Sequence, residues 1–230
     1  LQAEMDFIPR DYTGEALVGV FANADTDDWR FADYSGGAFF DCGNARAGAT
    51  SNGAIVTLGT RYKAEFGTDG SKIYNRINGG SLSREQTANA NGSPNASRTI
   101  YVFANNSKGT AMCAKMRLYS LKFWDVTADG KQLVRDFVPA RRCSDGAVGL
   151  LDLAHLGTGS EFYANKGTGP FKYDVACADP DVASGDFVVY DGLMDSSTSW
   201  GGCTNVIKQR SSELNIAAAT AFSQSPLNSV

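Results

Sequence analysis

The densest concentration of groups able to do chemistry in this 230-residue chain is Asp25-Thr26-Asp27-Asp28-Trp29-Arg30, followed by Tyr34 and then Asn44. Sugars bind where their CH faces stack on aromatic rings and their hydroxyls meet carboxylates or amides. Asp27, Asp28, Trp29, Tyr34 and Asn44 therefore make a candidate saccharide-binding set, and Tyr190 and Trp200 are further aromatic candidates. Asp25 and Asp27 are candidate ligands for Ca2+, an ion that takes about six to eight oxygens. The cluster supplies three carboxylates and has no EF-hand spacing, and no other cofactor is implied. The opposing reading puts Trp29 in a hydrophobic core and Asp27-Asp28 in a turn.

Covalent and acid-base catalysis have little to draw on. His155 is the one histidine, so a multi-histidine metal cage is excluded and any Ser-His or Cys-His pair must use it. It lies in Ala154-His155-Leu156-Gly157, a turn-like segment without a nucleophile motif, and reads as a loop histidine. Glu161, next to Phe162, has no carboxylate at strand spacing beside it and reads as a solvent-facing strand residue. Cys42, Cys113, Cys143, Cys177 and Cys203 include no Cys-x-x-Cys pair, which removes a zinc site on ligand spacing. Two cysteine readings stay open. In one, Cys177 and Cys203 form a disulfide that staples the polar C-terminal region, worth about 3 kcal/mol. In the other, all five are buried thiols, since cysteine packs as a small hydrophobe.

The elements that carry these groups belong to an ordinary globular chain. With 43% hydrophobic residues it can bury a sizeable core, and its length suits one large domain, or one domain with a small appendage. No apolar run approaches the roughly 18 residues of a membrane helix, and no block of about five Lys or Arg offers a phosphate-binding stripe. Neither a membrane span nor a nucleic-acid partner is expected. The net charge of −4 is concentrated: residues 175–230 hold six acidic residues against Lys208 and Arg210, which leaves 1–174 balanced with 19 of each sign. The break falls near Tyr173-Asp174, after the loop-type cluster Gly167-Thr168-Gly169-Pro170. It predicts a main domain over 1–174 and an acidic appendage over 175–230. The chain opens at Leu1 without an initiator Met or a signal-type segment, which fits an exported protein whose targeting segment has been removed. Sequons at Asn91, Asn95 and Asn105 matter only in a host that glycosylates.

Strand signals dominate the first 165 residues. Apolar and polar side chains alternate in Gln2–Ile8 and again in Arg61–Phe66, the period of a sheet with one buried face. Turn clusters separate such runs: Thr68-Asp69-Gly70, Asn78-Gly79-Gly80, Asp129-Gly130 and Ser144-Asp145-Gly146. Further strands are expected at 15–21, 29–34, 37–41, 53–58, 71–77, 98–104, 115–126, 131–138, 147–153 and 161–164, enough for two packed sheets. In Lys115–Asp125 the apolar phase shifts after Leu118, which predicts a bulge near Ser120. Segment 83–98 is poor in apolar residues and reads as an exposed loop, and Ser211–Phe222 is the best helical candidate, with a strand as its other reading.

Residues 116–171 carry a run of motifs: a strand, the Asp129-Gly130 hairpin, Leu133-Val134-Arg135-Asp136-Phe137-Val138-Pro139, the Gly146-x-x-Gly149-Leu150-x-Asp152 strand, and Phe162-Tyr163-x-Asn165-x-Gly167-Thr168-Gly169-x-Phe171. This block resembles the C-terminal half of LamG-like jelly-roll domains of the concanavalin A-like superfamily, of the bacterial or phage surface type. The resemblance implies an all-β, two-sheet antiparallel jelly-roll sandwich in an extracellular or surface protein that binds glycans or adheres. It also fits local physics: Asp129-Gly130 closes a hairpin, Pro139 ends a strand for want of an N–H, and Gly149 leaves room between packed sheets. The chain lacks the Tyr-Ile-Asp-Thr-Gly strand with which such domains usually open, which would leave a sheet edge uncovered, and 175–230 is unmatched. Glycosidases similar to this superfamily set acid and nucleophile on one strand face as Glu-x-Asp-x-Glu or Glu-x-Asp-x-x-Glu. Glu4-Met5-Asp6 comes nearest, but Ile8-Pro9 follow where a third carboxylate is needed, so no catalytic residue is assigned.

The expected function is thus that of a non-catalytic extracellular module whose partners are glycans or a cell-surface receptor. The alternative is a self-assembling subunit of a filament or virion appendage. In that case Phe187-Val188-Val189-Tyr190, together with 214–222, pairs with an open sheet edge of the next molecule rather than its own. A polysaccharide hydrolase stands third.

Overall fold

A computed structural model describes residues 1–10, 13–21, 29–34, 37–43, 45–48, 56–69, 72–79, 82–89, 99–107, 110–113, 115–127, 130–166, 171–173, 176–177, 186–190, 192–195 and 207–208. The strands, in chain order, are β1 (Gln2–Pro9), β2 (Thr13–Phe21), β3 (Trp29–Tyr34), β4 (Gly37–Cys42), β5 (Ala45–Gly48), β6 (Tyr62–Asp69), β7 (Lys72–Gly79), β8 (Leu82–Asn89), β9 (Tyr101–Val102), β10 (Ala104–Ser107), β11 (Thr110–Cys113), β12 (Met116–Thr127), β13 (Gly130–Arg142), β14 (Val148–Asp152), β15 (Phe162–Ala164), β16 (Phe171–Tyr173), β17 (Ala176–Cys177), β18 (Phe187–Tyr190), β19 (Leu193–Asp195) and β20 (Ile207–Lys208). A three-residue 3-10 turn, Leu153–His155, is the one helical element among the described residues.

Two sheets result. The larger runs β15-β14-β13-β12-β1-β6-β7-β8 and the smaller β11-β10-β2-β3-β4-β5. The described pairings are antiparallel apart from β10 with β2. The chain is an all-β sandwich because alternation in strands such as β1, β3 and β6 gives each sheet an apolar face, and the two faces meet. Ala3, Met5 and Phe7 of β1, Phe66 of β6 and Phe123 of β12 are fully buried against Trp29, Phe31 and Phe40 of the smaller sheet. Phe66 stacks on Phe31 at 4.5 Å between ring centroids and tilts against Trp29 and Phe40 at 5.7 and 5.4 Å.

Several expectations are refined or overturned. The bulge in β12 falls at Tyr119, since Asp6 pairs with Ser120 but Phe7 with Leu118. Residues 83–89 of the expected loop belong to the edge strand β8, which is paired with β7 along its whole length. An edge strand needs little apolar content, because its stability comes from one ladder of backbone bonds. Of the strand expected over 53–58, the described residues Val56–Leu58 enter a bend and turn instead, closed by a Thr60 N–H donating to the Thr57 carbonyl at 3.1 Å. Pro139 does not end β13, which continues to Arg142. It stands between the part of β13 paired with β12 and the part paired with β18, where the ladder on that side passes from one partner to the other. Gly149 is required inside its own sheet rather than between sheets: a Cβ there would lie 2.2 Å from the Tyr163 carbonyl oxygen of β15.

The described strands after residue 175 occupy sheet positions of their own chain. β18 pairs with β13, β19 with β12 and β16, and β20 with β9. Residues 211–230 lie outside the described residues, and so does the helical candidate among them. Phe103, between β9 and β10, has φ 66°, a left-handed conformation a bulky residue adopts at a cost of order 1 kcal/mol or more. The reversal lets β9 run antiparallel and β10 parallel to β2, with the Phe103 ring packed on Phe171 at 4.9 Å.

Candidate functional site

With Ala3, Met5 and Phe7 in the core, Glu4 and Asp6 stand on the outer face of β1. The same alternation brings Lys63 and Glu65 of β6, Tyr74 and Arg76 of β7, Ser120, Lys122 and Trp124 of β12, and Asp136 of β13 to that face. Register then aligns them. Arg76, Glu65, Glu4, Lys122 and Asp136 are cross-strand neighbours in one row over β7-β6-β1-β12-β13. Lys63, Asp6 and Ser120 form the next row. Between the rows lies a cleft of about 310 Å³, walled by Glu4, Asp6, Lys63, Glu65, Ser120 and Lys122, with the backbone of Met5 and Ala64 as its floor.

Ion pairs fix most of these groups. Arg61 donates from Nε to Asp6 Oδ1 at 2.7 Å and from Nη2 to Oδ2 at 3.0 Å, a two-pronged grip on a carboxylate that is 89% covered. Lys122 Nζ donates to Asp136 Oδ2 at 2.9 Å. Glu4 and Glu65 face each other directly, an arrangement that is repulsive for like charges. Lys131 Nζ stands 3.6 Å from Glu4 Oε1 and 3.8 Å from Glu65 Oε1, while Arg76 Nη1 is 3.5 Å from Glu65 Oε2. Such half-exposed pairs contribute about 0–1 kcal/mol each, so they orient the cleft more than they stabilise the fold. Exposed Lys63 makes no ion pair among the described residues. The aromatic rings beside the cleft are covered. Arg61 and Arg117 lie over Tyr119 at 3.7 and 5.0 Å, Arg76 over Tyr74 at 4.5 Å, and Lys131 over Trp124 at 4.0 Å.

A second polar cluster is buried at the β13–β14 corner. Asp152, 1% exposed, accepts on Oδ1 from the backbone N–H groups of Asp136 at 2.9 Å and Ala154 at 3.2 Å. Its Oδ2 lies 2.9 Å from His155 Nδ1 and 3.4 Å from Arg135 Nε. Burial pushes the Asp152 carboxyl above the usual carboxylate range, opposed by the Asp136 N–H and the charges of Arg135 and His155. Here the lone histidine is part of a corner that caps the 3-10 turn through Asp152.

The expected site is not assembled from the described residues. Asp25, Asp27, Asp28 and Asn44 lie outside them, so the saccharide-binding and Ca2+ assignments to those residues have no geometry here. Trp29 is corrected: it is 0% exposed, its ring enclosed by Phe40, Phe66 and Phe123 at 5.4–5.9 Å, and offers no face to a sugar. Tyr34 ends β3 opposite Gly37, and its side chain is outside the description. Tyr190 is buried, with its hydroxyl accepting from Arg141 Nε at 3.1 Å, and Trp200 lies outside the described residues. Cys177 is in β17 while Cys203 lies outside the described residues; Cys42 is buried and Cys143 exposed, which overturns the reading of five buried thiols. Among the described residues no group of three or more His, Cys, Asp or Glu is arranged to hold a metal ion, and no helix is long and apolar enough to cross a membrane.

Of the cleft residues, Glu4 and Asp6 stand out in the sequence as a spaced carboxylate pair. Glu65 supplies a third carboxylate, from the neighbouring strand instead of the same one. Its signal is the alternation Lys63-Ala64-Glu65-Phe66, which shows that both charges face outward but not which strand lies beside them. Comparison with protein-family models, with curated proteins and with solved structures finds no match for this chain.

Proposed function

We propose that this protein is an extracellular, non-catalytic saccharide-binding or adhesion module, and that it binds in the cleft on the outer face of its larger sheet. The observation that carries the reading is the cleft itself. Its volume is at the lower end of small-molecule sites, and its walls alternate acceptors (Glu4, Asp6, Glu65) with donors (Lys63, Ser120, Lys122), the pairing a sugar hydroxyl array requires. The similarity of residues 116–171 to LamG-like domains supports the same function, a jelly-roll strand order and a surface location.

Hydrolysis is the weaker reading. Glycosidases divide labour between one carboxylic acid and one carboxylate. Glu4 and Glu65 are both paired with the Lys131 ammonium, Glu65 with Arg76 as well, and at 46% and 31% exposed neither is closed off from water as a general acid's pocket is. Assembly by strand exchange is also weaker, because β18, β19 and β20 pair within their own chain.

A saccharide array tests the proposal, with Ser120→Trp as the variant that fills the cleft. The expected result is binding by the native chain, loss of binding in Ser120→Trp with unchanged melting, and no release of reducing ends. Undiminished binding by Ser120→Trp overturns the site. Reducing-end release that Glu4→Gln abolishes replaces the reading with a hydrolase.

A further inference from the structure

Resting on the saccharide reading just given, we infer that the cleft selects acidic saccharides, those bearing carboxylate or sulfate groups, and that Lys63, Lys122 and Ser120 receive the anion. Two observations point there. The first concerns the aromatic rings. Neutral sugars are usually held by stacking CH faces on open rings, but Tyr74, Tyr119 and Trp124 each carry a cationic side chain over the face. A ring face already occupied by a cation, itself paired with Asp6, Glu4 or Glu65, is not open for stacking by a neutral sugar's C–H face.

The second is the inventory of unspent donors. Asp6 is held at both oxygens by Arg61, and Glu4 and Glu65 share Lys131, so the carboxylates of the cleft are already matched by cations. Lys63 carries no ion pair among the described residues, and Lys122 uses one of three ammonium hydrogens on Asp136. Lys63 and Ser120 flank Asp6 from either side, and Lys122 is next to Ser120 across the floor. An anionic group seated there meets two ammonium groups and a hydroxyl, while its neighbouring ring hydroxyls donate to Glu4 and Glu65. Among the described side chains the cations on this face are Arg61, Lys63, Lys72, Arg76, Arg117, Lys122 and Lys131, against Glu4, Asp6, Glu65 and Asp136. The local excess is positive in a chain whose net charge is −4.

The test measures binding of the full chain to alginate as a uronate, chondroitin sulfate as a sulfate, and dextran as a neutral polymer, at low and high salt. Expected are retention by one or both acidic polymers, weakening with salt, and none by dextran. Lys63→Ala should weaken binding about tenfold, the scale of one charge-assisted hydrogen bond, Lys63→Glu should abolish it, and Lys63→Arg should keep it. Circular dichroism confirms folding, and Lys63 is exposed enough to tolerate all three changes. The two acidic arms tell carboxylate from sulfate recognition. Dextran bound as tightly as the acidic polymers, and lost in Ser120→Trp, overturns charge selection while the saccharide reading survives. Undiminished binding by Lys63→Glu overturns the assignment of the anion site, and no binding to any polymer overturns both.

Discussion

The molecule has two clusters of opposed charges, and they differ in what surrounds them. At the β13–β14 corner, Asp152 is sealed from water, two backbone N–H groups and the His155 ring occupy its oxygens, and Arg135 is 3% exposed beside it. On the outer face, Glu4, Glu65, Lys122 and Lys131 are each about a third to a half exposed, and Lys63 is left over. The first cluster spends its carboxylate on its own backbone and side chains and ties a corner of the sheet together. The second contributes little to stability and keeps donors and acceptors in reserve, which is why the proposed ligand site is there although the corner contains the only histidine and a carboxyl raised by burial.

The largest effect expected from this contrast is in Asp152→Ala, which takes away the carboxylate facing buried Arg135. It should cost about 3–5 kcal/mol of folding stability, read as a shift in urea midpoint. A loss no greater than that of an exposed pair would dissolve the distinction. Acid titration of stability sharpens it. The folded Asp152 carboxyl has a raised pKa, so as pH climbs through the ordinary value of 3.8 the unfolded chain releases this proton first. Its contribution to stability is therefore largest at low pH and declines up to the folded pKa. Asp152→Asn should remove that decline, and an unchanged pH profile by thermal melting would contradict it. Arg61→Ala, which removes both donors from the 89% covered Asp6 carboxylate, should cost about 1–3 kcal/mol. Smallest is Lys63→Ala, within about 0.5 kcal/mol of the native chain in stability yet weakened in binding. A melting shift as large as that of Arg61→Ala would move Lys63 from the ligand site to the fold.

The fold was readable wherever one face of a strand is buried. Alternation in Gln2–Ile8 and Arg61–Phe66 locates β1 and β6, and Phe187–Tyr190 is recovered residue for residue as β18. The phase shift in β12 foretells its bulge to within one residue. Reading fails where the sequence gives no apolar alternation: β8, on a sheet edge, is mostly polar in sequence, and β5 has four small or charged residues. The candidate site was half readable. Glu4-Met5-Asp6 announces two carboxylates on one face, whereas the loop cluster around Trp29 drew attention because it is dense in the chain. In space Trp29 is the centre of the core.

Residue order alone pointed to an all-β chain, to several of its turns, and to the charged side of strands such as β1 and β6, because these depend on alternation within a few residues. Tertiary structure decided which strands stand side by side. Glu65 is a neighbour of Glu4 across 61 positions of chain because β6 pairs with β1 in that register. A shift of one residue would send Glu65 into the core and Phe66 to the surface. The packing of Phe66 against Trp29, Phe31 and Phe40 forbids that shift, and so the apolar contacts on the inner face hold in place the cleft on the outer one.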